Sequence, residues 1–380
     1  MLWTEHDGVT SIIRTLGINP DFYENLLHFF RATSWTLDSI RECWVRIVFE
    51  SGFAYRVAGR IVLIGDGVKK SKEGRKMTGV KKLHQESGNS GKSEYIHGWM
   101  FGAIGILLTN FGKFFCCLLS MRLHDGNEVI SKWAKDEMAE YSHVVRLIYE
   151  AFAILVIVGV PSILLLDNYF LSIKALEAYI LLTAKHGNLL TIVTRGTDIN
   201  VAYEEPPNRT GKRGAPRKKG DKITLSELFE SAKASFVKTD VSIYGRCETV
   251  SYLVKDLLWG KGLYLKLRFV LVKRGIKNTI LVCTDLSMSP VHIIELYAKR
   301  FKIECGFRSF NQVIVGFACR FWSVAMPKLD RFVKNDVMRK RLAAVPKEMR
   351  SRIVSAFRAT EGFVMMACIV EAIWKCEKIL

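Results

Sequence analysis

Acidic residues are scarce: 37 Asp and Glu stand against 56 Lys and Arg in 380 residues, a formal net charge of +19. With an isoelectric point of about 9.5, this balance argues against an ordinary enzyme of small neutral metabolites. It points to a polyanionic partner: DNA, RNA or an anionic membrane surface. No CxxC pair occurs. The nine cysteines (43, 116, 117, 247, 283, 305, 319, 368 and 376) are odd in number and often lie in apolar stretches. That excludes a disulfide framework and a zinc signature and fits a reduced cytosolic compartment. The opening MLWTEHDGVTS shows no basic-then-apolar leader pattern, and no internal repeat is found. No apolar run reaches the roughly 20 residues of a spanning helix. The most apolar stretch, AFAILVIVGVPSILLL at 151–166, has 16 residues and contains Gly159 and Pro161. It reads as a buried helix ending near Gly159, then a buried strand. SGNSGKS (87–93) ends like a phosphate-binding loop, but Glu86 stands where the first glycine belongs, so ATP use is not supported.

What is present is the composition of a folded chain, 49% hydrophobic and 24% charged, long enough for two or three domains. Residues 1–55 read as helical. Residues 56–200 read as α/β: GRIVLIGD (59–66) is a buried strand ended by Asp-Gly, a basic loop follows, and two more strands run to Asp125-Gly126. A helix is expected over 128–158, a strand at SILLLD (162–167), a helix closed by Gly187, and a strand at LLTIVTR (189–195). Residues 201–285 read as a basic Pro/Gly-rich loop and a β-rich insertion. Ser289-Pro290 opens one helix expected to run to about 310, within a segment at 286–312. Residues 313–380 look helical and basic. The fold class expected is α/β, with its last helix separated from its sheet by the β-rich insertion.

Asp66 and Asp167 each end an apolar strand, on the rim where α/β sheets bind ligands. Glu304 is the third candidate acid, in a basic helix. At 100° per residue Tyr297, Arg300, Glu304, Arg308 and Asn311 form one stripe, and Leu296, Ile303, Phe307 and Phe310 another. Three convergent carboxylates would suit Mg²⁺ or Mn²⁺, two ions of which can serve phosphodiester chemistry. The bland alternative makes the aspartates turn residues and pairs Glu304 with Arg308 at i,i+4. Spacing alone leaves both open.

The string YAKRFKIECGFRSFN resembles the Tyr–Arg–Glu–Lys signature of DDE insertion-sequence transposases, with Asn311 in place of the lysine. LIGDGVKKSKEGRKMTGVKKLHQES, LSMRLHDG, LLLDNYF, RGAPRKKGDK, TDLSMSPVHIIELYAKRFKIE and ACRFWSVAMPKL are similar to strings of the DDE superfamily endonuclease subgroup, in the same order, over about residues 25–370. Thr78 and Ala215 stand where that group usually has Pro and often has Arg. The resemblance implies an RNase H-like core with Asp66, Asp167 and Glu304 as catalytic and metal-binding residues. Tyr297 and Arg300 would contact DNA phosphate, and Arg308, on the same stripe, is the candidate to stand in for the signature lysine. It implies a transposase that binds terminal inverted repeats and target DNA, as a homodimer, in the nucleoid-bearing cytoplasm of a prokaryote. An inactive DNA-binding derivative and a nuclease that cuts without joining are the alternatives.

Lys69, Lys70, Lys72, Arg75 and Lys76 follow the first aspartate and are expected to grip phosphates; the alternative is a solvated loop. Arg213, Arg217, Lys218 and Lys219 form a basic arm suited to backbone tethering. Arg320, Phe321 and Trp322 could stack on a base, although aromatic core is the commoner fate. The histidines 97, 143, 186 and 292 show no ligand spacing and read as structural.

Overall fold

The computed structural model describes residues 9–32, 34–85, 91, 93–125, 128–208, 216–328, 330 and 333–377. Arg213, Lys212, Ala215 and most of SGNSGKS lie outside them. The chain is mixed α/β with a large mixed sheet. Helices α1 (Val9–Leu16), α2 (Phe22–Arg31) and α3 (Leu37–Glu50) precede β1 (Arg56–Val57), β2 (Arg60–Ser71), β3 (Lys81–His84), β4 (Tyr95–Asn110) and β5 (Lys113–Asp125). Helices α4 (Glu128–Trp133) and α5 (His143–Val158) lead to β6 (Ser162–Leu165), α6 (Ile173–His186) and β7 (Leu190–Gly196). Next come β8 (Val201–Tyr203), β9 (Lys222–Thr224), α7 (Leu228–Ser231), β10 (Val237–Ile243), β11 (Arg246–Trp259), β12 (Leu265–Arg274) and β13 (Lys277–Cys283). Helices α8 (Pro290–Lys299), α9 (Lys302–Gln312), α10 (Asn335–Ala343) and α11 (Lys347–Glu377) follow.

These elements pack as two compact units. One comprises Met1–Phe53, Asp66–Glu150 and Ile303–Leu380, the other Ala54–Gly65 and Ala151–Lys302. Strand β2 and helix α5 each contribute residues to both. In the first unit β4 and β5 form a long antiparallel hairpin, with β3 also antiparallel to β4. β4 also lies beside β2, with Lys72 N–H donating to the His97 carbonyl. Trp44 Nε1 donates to the Leu118 carbonyl at 3.0 Å, tying α3 to β5. Phe30, Phe321 and Phe363 pack together, so Phe321 is core and unavailable for base stacking, while Trp322 is exposed. Helix α11 is the one described helix long and apolar enough to cross a membrane, and most of its apolar window is buried within the chain.

In the second unit β6 runs parallel to both β2 and β7, pairing Ile61–Ile64 of β2 with Ser162–Leu165. All four β6 residues are buried, as expected of a parallel strand covered on both faces. The register pairs Ile64 with Leu165, so Asp66 and Asp167 each follow that pair by two residues. Strands β13, β12, β11 and β8 continue antiparallel. Their inward side chains, with Leu176 of α6 and Phe229, form one apolar core around Leu267 and Phe269. Helix α6 begins at Ser172, whose side chain accepts from Ala175 N–H, and ends at Gly187, whose φ of +85° few other residues tolerate.

Four local expectations change. Asp66 does not end its strand: β2 continues to Ser71, because pairing beside β4 overrides the Asp-Gly turn preference. Likewise 81–84 is strand β3 rather than basic loop. The helix expected over 128–158 is two helices. Lys135 adopts a left-handed φ of +60°, and the Asp136 side chain accepts from Met138 N–H in a local turn. The helix expected from 290 to 310 is also two. After α8 the Arg300 N–H bonds the Tyr297 carbonyl, three residues back, and the chain turns at 300–301 before α9. Tyr297 and Arg300 therefore do not share one continuous helical stripe with Glu304, Arg308 and Asn311.

Candidate functional site

Asp66 is half-buried on β2, and its Oδ1 accepts from the following Gly67 N–H at 2.7 Å. Asp167, also half-buried, precedes the short helical turn Asn168–Phe170. Its backbone carbonyl accepts from Thr194 Oγ1 at 2.7 Å and from Phe170 N–H at 3.0 Å. Glu304 lies half-buried in the first turn of α9, whose Ile303, Gly306 and Phe310 are buried. Asp66 and Glu304 belong to one unit and Asp167 to the other. Carboxylate oxygens are suitable donors for a hard divalent cation. Among the described residues, however, no three His, Cys, Asp or Glu side chains are gathered closely enough to hold a metal ion.

Two of the expected phosphate-gripping positions do meet. Lys70 Nζ, on β2, donates to Asn311 Oδ1, on α9, at 2.7 Å. Partial burial lowers the Lys70 pKa. Along β2, alternation puts Asp66, Val68 and Lys70 on one face. Along α9, Glu304 and Asn311 are seven residues, about two turns, apart and share a face. The bond therefore joins the strand face that carries Asp66 to the helix face that carries Glu304. Arg308 is exposed on α9.

The other basic candidates divide. Arg75, Arg217, Lys218 and Arg320 are exposed. Lys69 donates to the His84 carbonyl at 2.8 Å and Lys76 to the Val324 carbonyl at 3.0 Å, both at the surface. Lys72 turns inward. It donates to the Phe317 and Cys319 carbonyls and sits 4.6 Å from the Trp99 ring centroid. Burial, with smaller contributions from Lys70 and Arg320, lowers its pKa to about 8. Lys219 lies over the Tyr203 ring at 3.8 Å, a cation–π contact within the β-rich section. Tyr297 and Arg300 are half-buried.

Sequence reasoning missed a buried line of titratable groups in the first unit. His124 of β5 and His143 of α5 approach Nδ1 to Nδ1 at 2.8 Å, and His124 Nε2 lies 2.6 Å from Glu150 Oε1. The available signal was Gly102 inside a strand pattern, which marks a close approach; Gly67 read as a turn residue. A Cβ on Gly102 would collide with the His124 ring, and one on Gly67 would lie 2.7 Å from His143 Nε2. Compared with family models, curated proteins and solved structures, the chain finds no match.

Proposed function

We propose that this chain is a DNA strand-cleaving and strand-joining enzyme of the DDE insertion-sequence transposase type, built on an RNase H-like core. The observation that carries the reading is the Lys70–Asn311 bond. The signature position that should bear a lysine bears Asn311, and the ammonium of Lys70 reaches it from the strand of the first aspartate. A cation thus stands beside the signature position although the residue there is neutral. The surplus of 19 positive charges supplies the nonspecific attraction that phosphate backbones demand. In this reading Asp66, Asp167 and Glu304 supply carboxylate oxygens for Mg²⁺ or Mn²⁺, and they must converge when DNA and cation bind. The partners are the inverted-repeat ends of the element and target DNA, engaged by a dimer.

The test is a Mg²⁺-dependent nicking and strand-transfer assay on duplexes carrying the inverted repeats that flank the reading frame. Asp66→Ala, Asp167→Ala and Glu304→Gln each abolish cutting and leave end binding largely intact. Cutting that survives all three single changes refutes the assignment. A second reading, a DNA-binding derivative without turnover, is favoured by the ungathered carboxylates. End binding without nicking by the unaltered chain selects it. Nicking without joined products selects a nuclease.

A further inference from the structure

The buried line ending at His143 has a direction. Burial raises the Glu150 pKa, but the charge and hydrogen bond of His124, aided by Arg122 and Arg41, more than offset it and hold the group as a carboxylate. A carboxylate only accepts, so His124 Nε2 carries a proton and donates to it at 2.6 Å. The two rings then meet Nδ1 to Nδ1 at 2.8 Å, one donating to the other. The orientation of the His143 ring is thereby fixed from the far end of the line. Its Nε2 edge, together with Met100 Cε, lies in the space a side chain at Gly67 would occupy, at the residue directly after Asp66. Gly102 makes the matching space for His124. Apolar residues of similar volume would fill this interior at lower desolvation cost. The line's distinguishing property is the fixed orientation of the ring that packs on β2.

We propose that His143 is a positioning residue for Asp66, locked by His124 and Glu150 so that its ring fixes the backbone of β2 at Gly67. The proposal rests on the transposase reading for what Asp66 does, and on geometry within one unit for how it is held. Asparagine at 143 keeps a donor near Nδ1 and removes the ring edge from Gly67. Alanine at 67 keeps the line's chemistry and displaces the ring.

The experiment uses the full chain labelled with ¹⁵N-histidine, together with the nicking assay. In the unaltered protein the imidazole spectrum should show His124 protonated at Nε2 and one fixed protonation form of His143. Glu150→Gln should lose that fixed pair of tautomers. Gly67→Ala should break the ring–ring bond, shift the Asp66 backbone amide, and lower kcat about 10–100-fold with KM little changed. In a His143→Asn background the same alanine should cost less, because only the contact with Met100 Cε then remains at that position. A mixture of His143 tautomers in the unaltered protein, or a Gly67→Ala penalty that is undiminished by His143→Asn, overturns the proposal. The spectra and the Asp66 amide are read without DNA. An unaltered chain that never cuts therefore counts against the transposase reading alone, while the tautomers and the double substitution still decide the role of His143.

Discussion

The unit formed by Ala54–Gly65 and Ala151–Lys302 closes its interior with Leu, Ile, Val and Phe, and its described buried polar side chains are three hydroxyls, Ser162, Thr191 and Thr194. All three are satisfied within the unit: Thr194 donates to the Asp167 carbonyl, Ser162 donates to the Val160 carbonyl and Thr191 accepts from Arg60. The other unit buries His124, His143, Arg146, Glu150, Glu361 and Glu371. Both interiors contain long strands with extensive apolar runs, yet among the described residues only the latter unit buries charged side chains. Apolar burial is nondirectional and indifferent to pH. Buried ions are directional, costly unless paired, and sensitive to protonation. The first interior is a scaffold that supports β6 and β7; the second fixes particular side chains next to Asp66.

The contrast can be broken most forcefully in the apolar unit. Phe269, fully buried in its core, should cost about 3–5 kcal/mol when changed to Ala, measured by urea unfolding, with little dependence on pH. In the ionic unit the sign of the pH dependence separates two buried carboxylates. Glu150 is held below the usual carboxylate range, so its contribution is present above that range and lost as pH falls through its folded pKa. Glu361 is pushed up by burial, although Arg122 and the Leu123 N–H oppose this, so its contribution is present in acid and lost as pH rises through the raised value. Glu150→Gln should therefore lose stability relative to the unaltered chain as pH rises into the usual carboxylate range. As pH rises above that range Glu361→Gln should gain it, and urea titrations at several pH values read the two opposite slopes.

At the proposed interface, Lys70→Met should weaken DNA binding and reduce the slope of log affinity against log salt by about 1. Adding Asn311→Lys should restore both. An unchanged slope in Lys70→Met would remove the cation from the interface. The smallest expected effect is in the β-rich section, where Lys219→Ala should cost about 0.5–1 kcal/mol through loss of its contact with Tyr203. Thermal unfolding measures it.

How much was legible in the sequence depends on the range of the forces involved. The strand at SILLL, the helix closed by Gly187 and the strand after it were readable because a continuous apolar run and a left-handed glycine act locally. The continuation of β2 through Asp66-Gly67 was not, because the dipeptide's turn preference is local whereas pairing beside β4 is not. The break between α8 and α9 gave no warning, since no Pro or Gly lies between Val291 and Cys305. At the candidate site the sequence supplied Asp66, Asp167, Glu304 and Asn311. It gave no hint that Lys70 would stand beside that position, or that Lys72 would turn inward.

The residues alone determined the charge surplus, the apolar strands, the helix caps and the order of the acidic positions, because each depends on composition or on neighbours a few places away. Tertiary structure decided which lysine meets Asn311, which histidine ring fills the space at Gly67, and that the buried ions collect in one unit. Those outcomes depend on contacts between side chains tens to hundreds of residues apart, and no local pattern encodes which of many possible partners will pack together.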